Sequence, residues 1–441
     1  MTGLESLMWR LGAGGQAATM SLVASVDTMP PRAALEQCLE RVAASVTRLQ
    51  QRVLRPSFSA VPPAWAPDPE FRASRHLEEV SPAADPAAVV AGVIAAPFHP
   101  DRPPWRAVMV GGSEPAVVFH LHHSYTDGLG GVKLLTELMD FAPDAERSVG
   151  AAAAPSPPSD PGPGLLQDLR SELAQQARTW GRALPWAGRT VSAAATDPTS
   201  VLRPAVSVAA ALSTHFRAAL GPSSPVLSGR SPVVAFSTID LPLDAMRDAA
   251  ARVGAKVNDV FLAGLLDGLA RYHVKQGSFA PSLRLGVPIS ARQGEEELMR
   301  NQLMGAVLRG PLGDLDFDER MRLVREMMSV SREQPWGGLL DDLGELAARL
   351  PGADRIVAAA VASLDVLASN VTGPAVPMWL AGSRVTRMTP VGPRSGSAVN
   401  ATLLSYDGTA SIGLNIDPSA VRDPGVLHDC LLSAYSEGLR I

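Results

Sequence analysis

Residues 116–128 read AVVFHLHHSYTDG. The first six are apolar, β-branched or aromatic apart from one histidine, a composition typical of a buried strand. Side chains alternate between the two faces of a strand, so His123 should share a face with Leu121. His122 should lie on the opposite face with His120. The pattern predicts that one of the adjacent histidines enters a pocket while the other is held within the structure.

A histidine in this position suits general acid–base chemistry. Imidazole titrates near neutral pH, so it can take the proton of an attacking alcohol and return it to a departing thiolate. We predict His123 as the catalytic base and His122 as its support. Asp127 is expected to hold the turn, and Gly128 to free the backbone at the same corner. Two alternatives stay open: a purely structural role, and a metal site, which the opposite-face geometry disfavours.

Two β-hairpins are predicted, one in each half of the chain. Residues 105–110 and 116–123 flank a turn of Gly, Ser, Glu and Pro. Near the end of the chain, residues 398–406 and 409–416 flank Asp407-Gly408, a strong hairpin signal. The first hairpin contains the histidine pair, so we expect the reactive group at a strand end within a sheet.

Helical spacing of apolar residues is found in both halves as well. It covers residues 33–54, starts again at Leu129, and recurs in residues 244–253, where Gly254 should end the helix. Asn258 stands where a helix cap belongs, and Asp259 is expected to be an exposed acid of the first turn. Mixed strands and helices predict the α/β fold class.

A compositional break separates the two halves. Residues 142–164 are rich in Ala, Pro and Ser, and a helix is predicted over residues 165–184 before more Pro-rich chain. At 441 residues the chain is long for one core. We therefore predict an N-terminal domain over 1–141, a crossover linker over 142–232 and a C-terminal domain over 233–441.

Composition excludes several functional classes. The chain carries 39 basic and 44 acidic residues, a net charge of −5, so nothing favours nucleic acid as a partner. The two cysteines are far apart in sequence, which disfavours disulfides and zinc and fits a reducing cytoplasm. No signal peptide is recognised, and the longest apolar run, residues 356–368, is too short to span a bilayer. We expect a cytoplasmic protein that is at most peripherally associated with a membrane.

The histidine motif and several other blocks, one upstream and the rest downstream of it, resemble the bacterial wax ester synthase/diacylglycerol acyltransferase family, whose signature is HHxxxDG. These blocks occur in the family's order across nearly the whole chain: Pro104-Trp105, residues 257–262 (VNDVFL), Arg300-Asn301-Gln302, residues 369–374 (SNVTGP) and residues 405–408 (SYDG). Departures from the family pattern include Thr372 in place of a proline and Ala398-Val399-Asn400 in place of Gly-Leu-Asn.

The resemblance implies two chloramphenicol acetyltransferase-like α/β sandwich domains, related by a pseudo-twofold axis, around an active-site tunnel. It also implies transfer from acyl-CoA, a co-substrate and not a bound cofactor, to diacylglycerol or a long-chain alcohol at a membrane or lipid-droplet surface. Asn258 and Asn370 then become candidates for stabilising the oxyanion or positioning substrate. Two alternatives are another HHxxxDG condensing acyltransferase of secondary metabolism and a lipid-binding relative without catalysis.

Overall fold

The computed structural model describes residues 1, 3–13, 18–54, 63–80, 85–126, 128–143, 223–288, 305–332 and 363–441. The helix predicted over residues 165–184 and the Arg300-Asn301-Gln302 block lie outside them. So does Asp127.

The elements of the first part are α1 Gly3–Ala13, β1 Thr19–Val26, α2 Arg32–Ser45, β2 Gln51–Leu54, β3 Ala64–Pro67, β4 Leu77–Val80, α3 Pro86–Ala95, β5 Trp105–Val110, β6 Ala116–His122, α4 Gly128–Thr136 and β7 Met139–Asp140. Those of the second part are β8 Ala235–Pro242, α5 Leu243–Arg252, α6 Val257–Lys275, β9 Ser282–Pro288, β10 Gly305–Pro311, α7 Phe317–Arg332, β11 Val366–Thr372, β12 Trp379–Leu380, β13 Ser383–Val391, β14 Val399–Tyr406, β15 Thr409–Ile416 and α8 Pro424–Leu439.

The first sheet has the strand order β4-β5-β6-β1-β13-β12-β7. On one face, Phe119 and Leu121 of β6 pack in a core that includes Leu35 and Leu39 of α2. On the other face, Val118 packs in a separate cluster with α3. Alternation along β6 therefore divides its side chains between two apolar environments. The helix α3 is well started, because the Asp85 carboxylate accepts the Ala87 N–H at 2.9 Å and proline occupies the first helical turn.

The second sheet has the order β10-β9-β11-β14-β15-β8, with β11 parallel to both β9 and β14. Its core is closed by helices that pack through small residues. A Cβ atom at Gly264 of α6 would lie 2.1 Å from the Tyr435 ring of α8, so glycine lets these helices approach closely. The Tyr435 hydroxyl donates to the Phe261 carbonyl at 2.6 Å, which satisfies its buried polar atom.

The strand β13 joins the two sheets. It pairs antiparallel with β1 in the first sheet, although it comes from the second part of the sequence. Its backbone also crosses β15 so closely that a Cβ atom at Gly413 would lie 1.7 Å from the Pro390 oxygen. Beside this crossing, the Asn400 and Asn415 side chains donate to the backbone carbonyls of Pro393 and Gly392 at 2.8 and 3.0 Å. The predicted domain boundary at residue 233 stays a prediction. Strand β13 lies on its C-terminal side in the sequence but pairs with β1 in the first sheet.

Both predicted hairpins are confirmed. β5 pairs with β6, and β14 pairs with β15 through a turn in which Asp407 and Gly408 both have positive φ, 43° and 82°. The helix over 244–253 is confirmed as α5, and Gly254 has φ +65° at its end.

Two predictions about helices were wrong. The helix expected over residues 33–54 ends at Ser45, and the chain turns through Thr47–Gln50 into β2. Leu49 keeps the apolar spacing because it enters the same core from that turn. Asn258 does not cap α6, since the helix already begins at Val257. The capping group is the carboxylate of Asp259, which accepts the backbone N–H of Lys256, three residues earlier, at 2.9 Å. The expectation that Asp259 is exposed was therefore also wrong, because this hydrogen bond holds a buried carboxylate.

Candidate active site

The backbone around the histidine pair is held by the strand ladder. β6 pairs with β1 on one side and β5 on the other, and His122 lies opposite Thr19. The ladder continues one residue past the strand, because the His123 N–H donates to the Ala18 carbonyl at 2.7 Å. His123 therefore stands at the first position where the chain leaves the sheet.

His122 is buried and hydrogen-bonded to its own turn. Its Nδ1 accepts the Ser124 N–H at 3.1 Å and lies 2.9 Å from the Ser124 hydroxyl. An Nδ1 that accepts a backbone N–H carries no proton, which assigns the neutral ring with its proton on Nε2. Burial, and next the neighbouring His123, lower the pKa of His122 from 6.5 to about 3. His122 is thus a neutral structural group near neutral pH.

His120, two residues earlier on the same face, is also buried. Its Nδ1 lies 2.7 Å from the Ser21 hydroxyl, and the Phe98 ring stacks on it with centroids 4.8 Å apart. Burial, followed by the charge of Arg106, lowers its pKa well below 6.5. Neither His120 nor His122 is suited to exchange protons with a substrate.

His123 differs from both. It is partly exposed, whereas His120 and His122 are 1% and 6% exposed. Its partners in the motif are described in part: Gly128 begins α4, while Asp127 falls outside the described residues. The geometry leaves His123 as the motif histidine that solvent or a substrate can reach.

Asn258 and Asn370 are brought together from different elements. Asn258 lies in the first turn of α6 and Asn370 on β11, and the Asn370 amide donates to the Asn258 oxygen at 3.3 Å. The helix α4, which begins at Gly128, contacts the same strand β11. The helix that follows the histidine motif is therefore in contact with the strand that carries Asn370.

Trp105 is a packing residue. The side chain is 7% exposed, stacks on His76 and donates its indole N–H to the Leu49 carbonyl at 2.8 Å. Gly373 shapes the end of β11, because a Cβ atom there would lie 2.6 Å from the Ser405 oxygen.

Contacts between α1 and the motif turn were not predicted from the sequence. The Trp9 ring lies 4.7 Å from the His122 ring, centroid to centroid, and a Cβ atom at Gly12 would lie 2.5 Å from His122 Nε2. Glu5, Trp9 and Gly12 have the spacing i, i+4, i+7, which places them on one helix face. This spacing is the signal in the sequence from which a helix face that contacts another part of the fold could have been predicted.

The same helix reaches the other side of the turn. The Glu5 carboxylate accepts the indole N–H of Trp65 and pairs with Arg48, both at 3.1 Å. The Trp65 ring packs on Tyr125 at 4.9 Å, and the buried Tyr125 hydroxyl donates to the Gln51 carbonyl at 3.0 Å. Tyr125 is thus a packing residue of the turn.

In the part of the chain that the structure describes, no group of three or more His, Cys, Asp or Glu side chains is placed to hold a metal ion. Across the same residues, no helix combines the length and apolar character needed to cross a bilayer.

Sequence relatives point to one activity class. A putative diacylglycerol O-acyltransferase of Mycobacterium tuberculosis is 29% identical over 427 residues, covering 91% of this chain and 84% of the relative. A probable diacylglycerol O-acyltransferase of the same species is 24% identical over 400 residues, covering 86% and 82%.

Solved structures agree in fold. The wax ester synthase/diacylglycerol acyltransferase from Marinobacter aquaeolei VT8 superposes with a TM-score of 0.62 at 18% identity, over 99% of both chains. The first condensation domain of the calcium-dependent antibiotic synthetase gives 0.61 at 16% identity, over 100% of this chain and 96% of that one. The expected α/β class, with two chloramphenicol acetyltransferase-like domains, is confirmed.

Family models settle the assignment that the motifs suggested. The wax ester synthase/diacylglycerol acyltransferase catalytic domain matches residues 1–261, and the WS/DGAT C-terminal domain matches residues 301–437. These matches span most of the chain, which therefore belongs to the wax ester synthase/diacylglycerol acyltransferase family and is an O-acyltransferase.

Proposed function

We propose that this enzyme transfers a fatty acyl group from a coenzyme A thioester to the hydroxyl of a lipid alcohol, either diacylglycerol or a long-chain fatty alcohol. The observation that carries the proposal is the contrast among three histidines at the end of β6. His120 and His122 are buried with lowered pKa values, while His123 is partly exposed. The acceptors follow from what the relatives and the family are named for.

In the proposed reaction His123 acts twice. It removes the acceptor hydroxyl proton as the oxygen attacks the thioester carbonyl and forms a new C–O bond. The tetrahedral intermediate collapses, the C–S bond breaks, and the same imidazole returns the proton to the departing sulfur. We assign these transfers to Nε2, because the Nδ1 atom of His123 is buried. Acyl-CoA is a substrate here, and the mechanism uses no bound cofactor.

The developing oxyanion needs a hydrogen-bond donor, and Asn258 is our candidate. Its side-chain oxygen accepts a hydrogen bond from Asn370, so the two amides form a small polar unit that includes a residue of β11, the strand that α4 contacts. A donor already oriented in this way costs no reorganisation when charge develops on the substrate oxygen. Asn370 acts in this scheme as the residue that positions Asn258.

We also propose a peripheral association with a membrane or lipid-droplet surface. Diacylglycerol and long-chain alcohols partition into lipid, so an enzyme that uses them gains by working where they are concentrated. Flotation of the protein with phospholipid vesicles containing diacylglycerol tests this, and recovery only in the lipid-free fraction would count against it.

The test of the proposed reaction offers palmitoyl-CoA with diacylglycerol, hexadecanol, an amine or no acceptor in parallel. Release of coenzyme A and formation of product, identified by mass spectrometry, are measured together. We expect ester product with at least one lipid alcohol. Product with the amine alone would favour the condensing alternative, which the condensation-domain fold suggests.

Two variants assign the base. Loss of a general base costs about 10²- to 10⁴-fold, so His123→Ala should lose most turnover while keeping its melting temperature. His122→Ala should lose less, because the ring acts through packing and the Ser124 contact. Near wild-type turnover of His123→Ala would remove the role that we assign to His123.

A further inference from the structure

The helix α1 contacts the motif turn on both sides of His123. Its Trp9 and Gly12 meet His122, the residue before His123. Its Glu5 holds Trp65, which packs on Tyr125, two residues after His123. The three helix residues occupy one face, so a single rigid element determines where both ends of the short turn lie. The mechanism proposed above assigns no role to these contacts.

The Glu5 end of this arrangement is a partly buried ion pair, in which Glu5 is buried and Arg48 is partly exposed. Glu5 is 4% exposed, and its two oxygens accept from different donors, Arg48 and Trp65. Arg48 also lies over the Trp65 ring at 4.8 Å. Charge-assisted bonds to both carboxylate oxygens hold the carboxylate in one orientation. Trp65 is therefore locked where it meets Tyr125.

The Gly12 end is a close backbone contact. Ordinary contact for a Cβ atom begins near 3.4 Å, and at Gly12 the distance to His122 Nε2 would be 2.5 Å. Any side chain at Gly12 must therefore push the ring or the helix by roughly 1 Å. The His122 ring has little freedom to yield, since Ser124 holds its other edge and the ring is buried.

We propose that α1 is a positioning element for the proposed base, and that Gly12 and Trp9 are positioning residues acting on His123 through His122. This inference rests on the proposed function for its kinetic consequence. A displacement of about 1 Å near a reacting group can cost on the order of 10²-fold in rate. We expect the KM for acyl-CoA to stay unchanged, because the proposed displacement acts on the base.

The central experiment compares Gly12→Ala with Gly92→Ala. Both replace a helical glycine, and alanine has the higher helix propensity in each case. At Gly92 in α3 the added Cβ meets nothing within 4 Å, so this variant is the matched control. We expect Gly12→Ala to lower kcat by roughly 10- to 100-fold with an unchanged KM for palmitoyl-CoA. Gly92→Ala should keep wild-type kcat, and an unchanged kcat in folded Gly12→Ala would overturn the proposal.

A readout without turnover separates this inference from the proposed function. Diethyl pyrocarbonate modifies reachable histidines, and mass spectrometry gives the rate at each one. Modification of His123 should be faster in Gly12→Ala than in wild type or Gly92→Ala, with exposed His99 as the internal reference. If the wild type transfers no acyl group, the proposed function is wrong. The rate of His123 modification still tests the positioning role, and an unchanged rate in Gly12→Ala would reject it.

A second pair covers the case in which Gly12→Ala does not fold. Trp9→Phe keeps a ring against His122, whereas Trp9→Ala removes it. Rescue of kcat and of the His123 modification rate by phenylalanine, but not by alanine, supports the proposal. Equal behaviour of the two variants in both measurements contradicts it.

Discussion

Exchanging His122 for asparagine should make the folded enzyme less sensitive to acid. In the folded state burial lowers the pKa of this ring from 6.5 to about 3. Between about pH 6.5 and pH 3 the unfolded chain therefore binds a proton at His122 that the folded chain does not bind. The contribution that His122 titration makes to stability is close to zero at pH 8 and becomes a loss as the pH falls. The linkage relation then gives a decrease in the free energy of unfolding of about 2 kcal/mol at pH 5 and of roughly 5 kcal/mol below pH 3.

The assay is urea unfolding at pH 8 and pH 5, followed by tryptophan fluorescence. Asparagine at position 122 offers an oxygen near the Nδ1 position to the Ser124 N–H but cannot titrate. We expect His122→Asn to be less stable at pH 8, because ring packing is lost. Between the two pH values, however, its free energy of unfolding should fall by about 2 kcal/mol less than that of the wild type.

Other buried histidines also have lowered pKa values, among them His76 and His273, but they are present in both proteins and cancel in the difference. For His120 the charge of His122 is the smallest of the three causes that lower its pKa, after burial and Arg106. The control is His99→Asn, the same substitution at an exposed histidine. An equal acid-induced loss in wild type and His122→Asn would refute the reasoning. It would mean that the ring accepts a proton in the folded state and is not a neutral support.

Two further predictions concern the second part of the fold. Gly413→Ala should destabilise by about 1–3 kcal/mol or more, because its Cβ would overlap the Pro390 oxygen, while Gly92→Ala should not; thermal melting measures both. Asn258→Ala and Asn370→Ala should each reduce turnover, and the double variant should lose less than the two losses combined, because the amides form one unit. If the two losses of turnover are additive in this double-mutant cycle, the two asparagines act independently and do not form one unit.

Local patterns predicted much of the fold because they act over short distances. The hairpin at Asp407-Gly408 follows from two positive φ values that Asp and Gly tolerate. The opposite environments of Leu121 and His122 follow from strand alternation alone. The prediction of a helix over 33–54 was wrong because Leu49 reaches an apolar core position equally well from a tight turn.

Contacts between distant segments could not be predicted in the same way. Asn258 looked like a helix cap because residue type and position suited one, but Asp259 supplies the carboxylate that caps α6. The pairing of Asn258 with Asn370 crosses 112 residues, and only the assembled sheet brings them together. The contact of Trp9 with His122 depends in the same way on where α1 lies in three dimensions.

The position of β13 has a consequence for how this protein is made. Strand β1 is complete after the first 26 residues, yet its neighbour on one side emerges only with residues 383–391. Until then the growing polypeptide carries an open strand edge, which is prone to pair with other chains. Such distant pairing also slows folding. A fragment ending at residue 141 should therefore aggregate, and supplying the missing strand as a separate segment should restore its solubility.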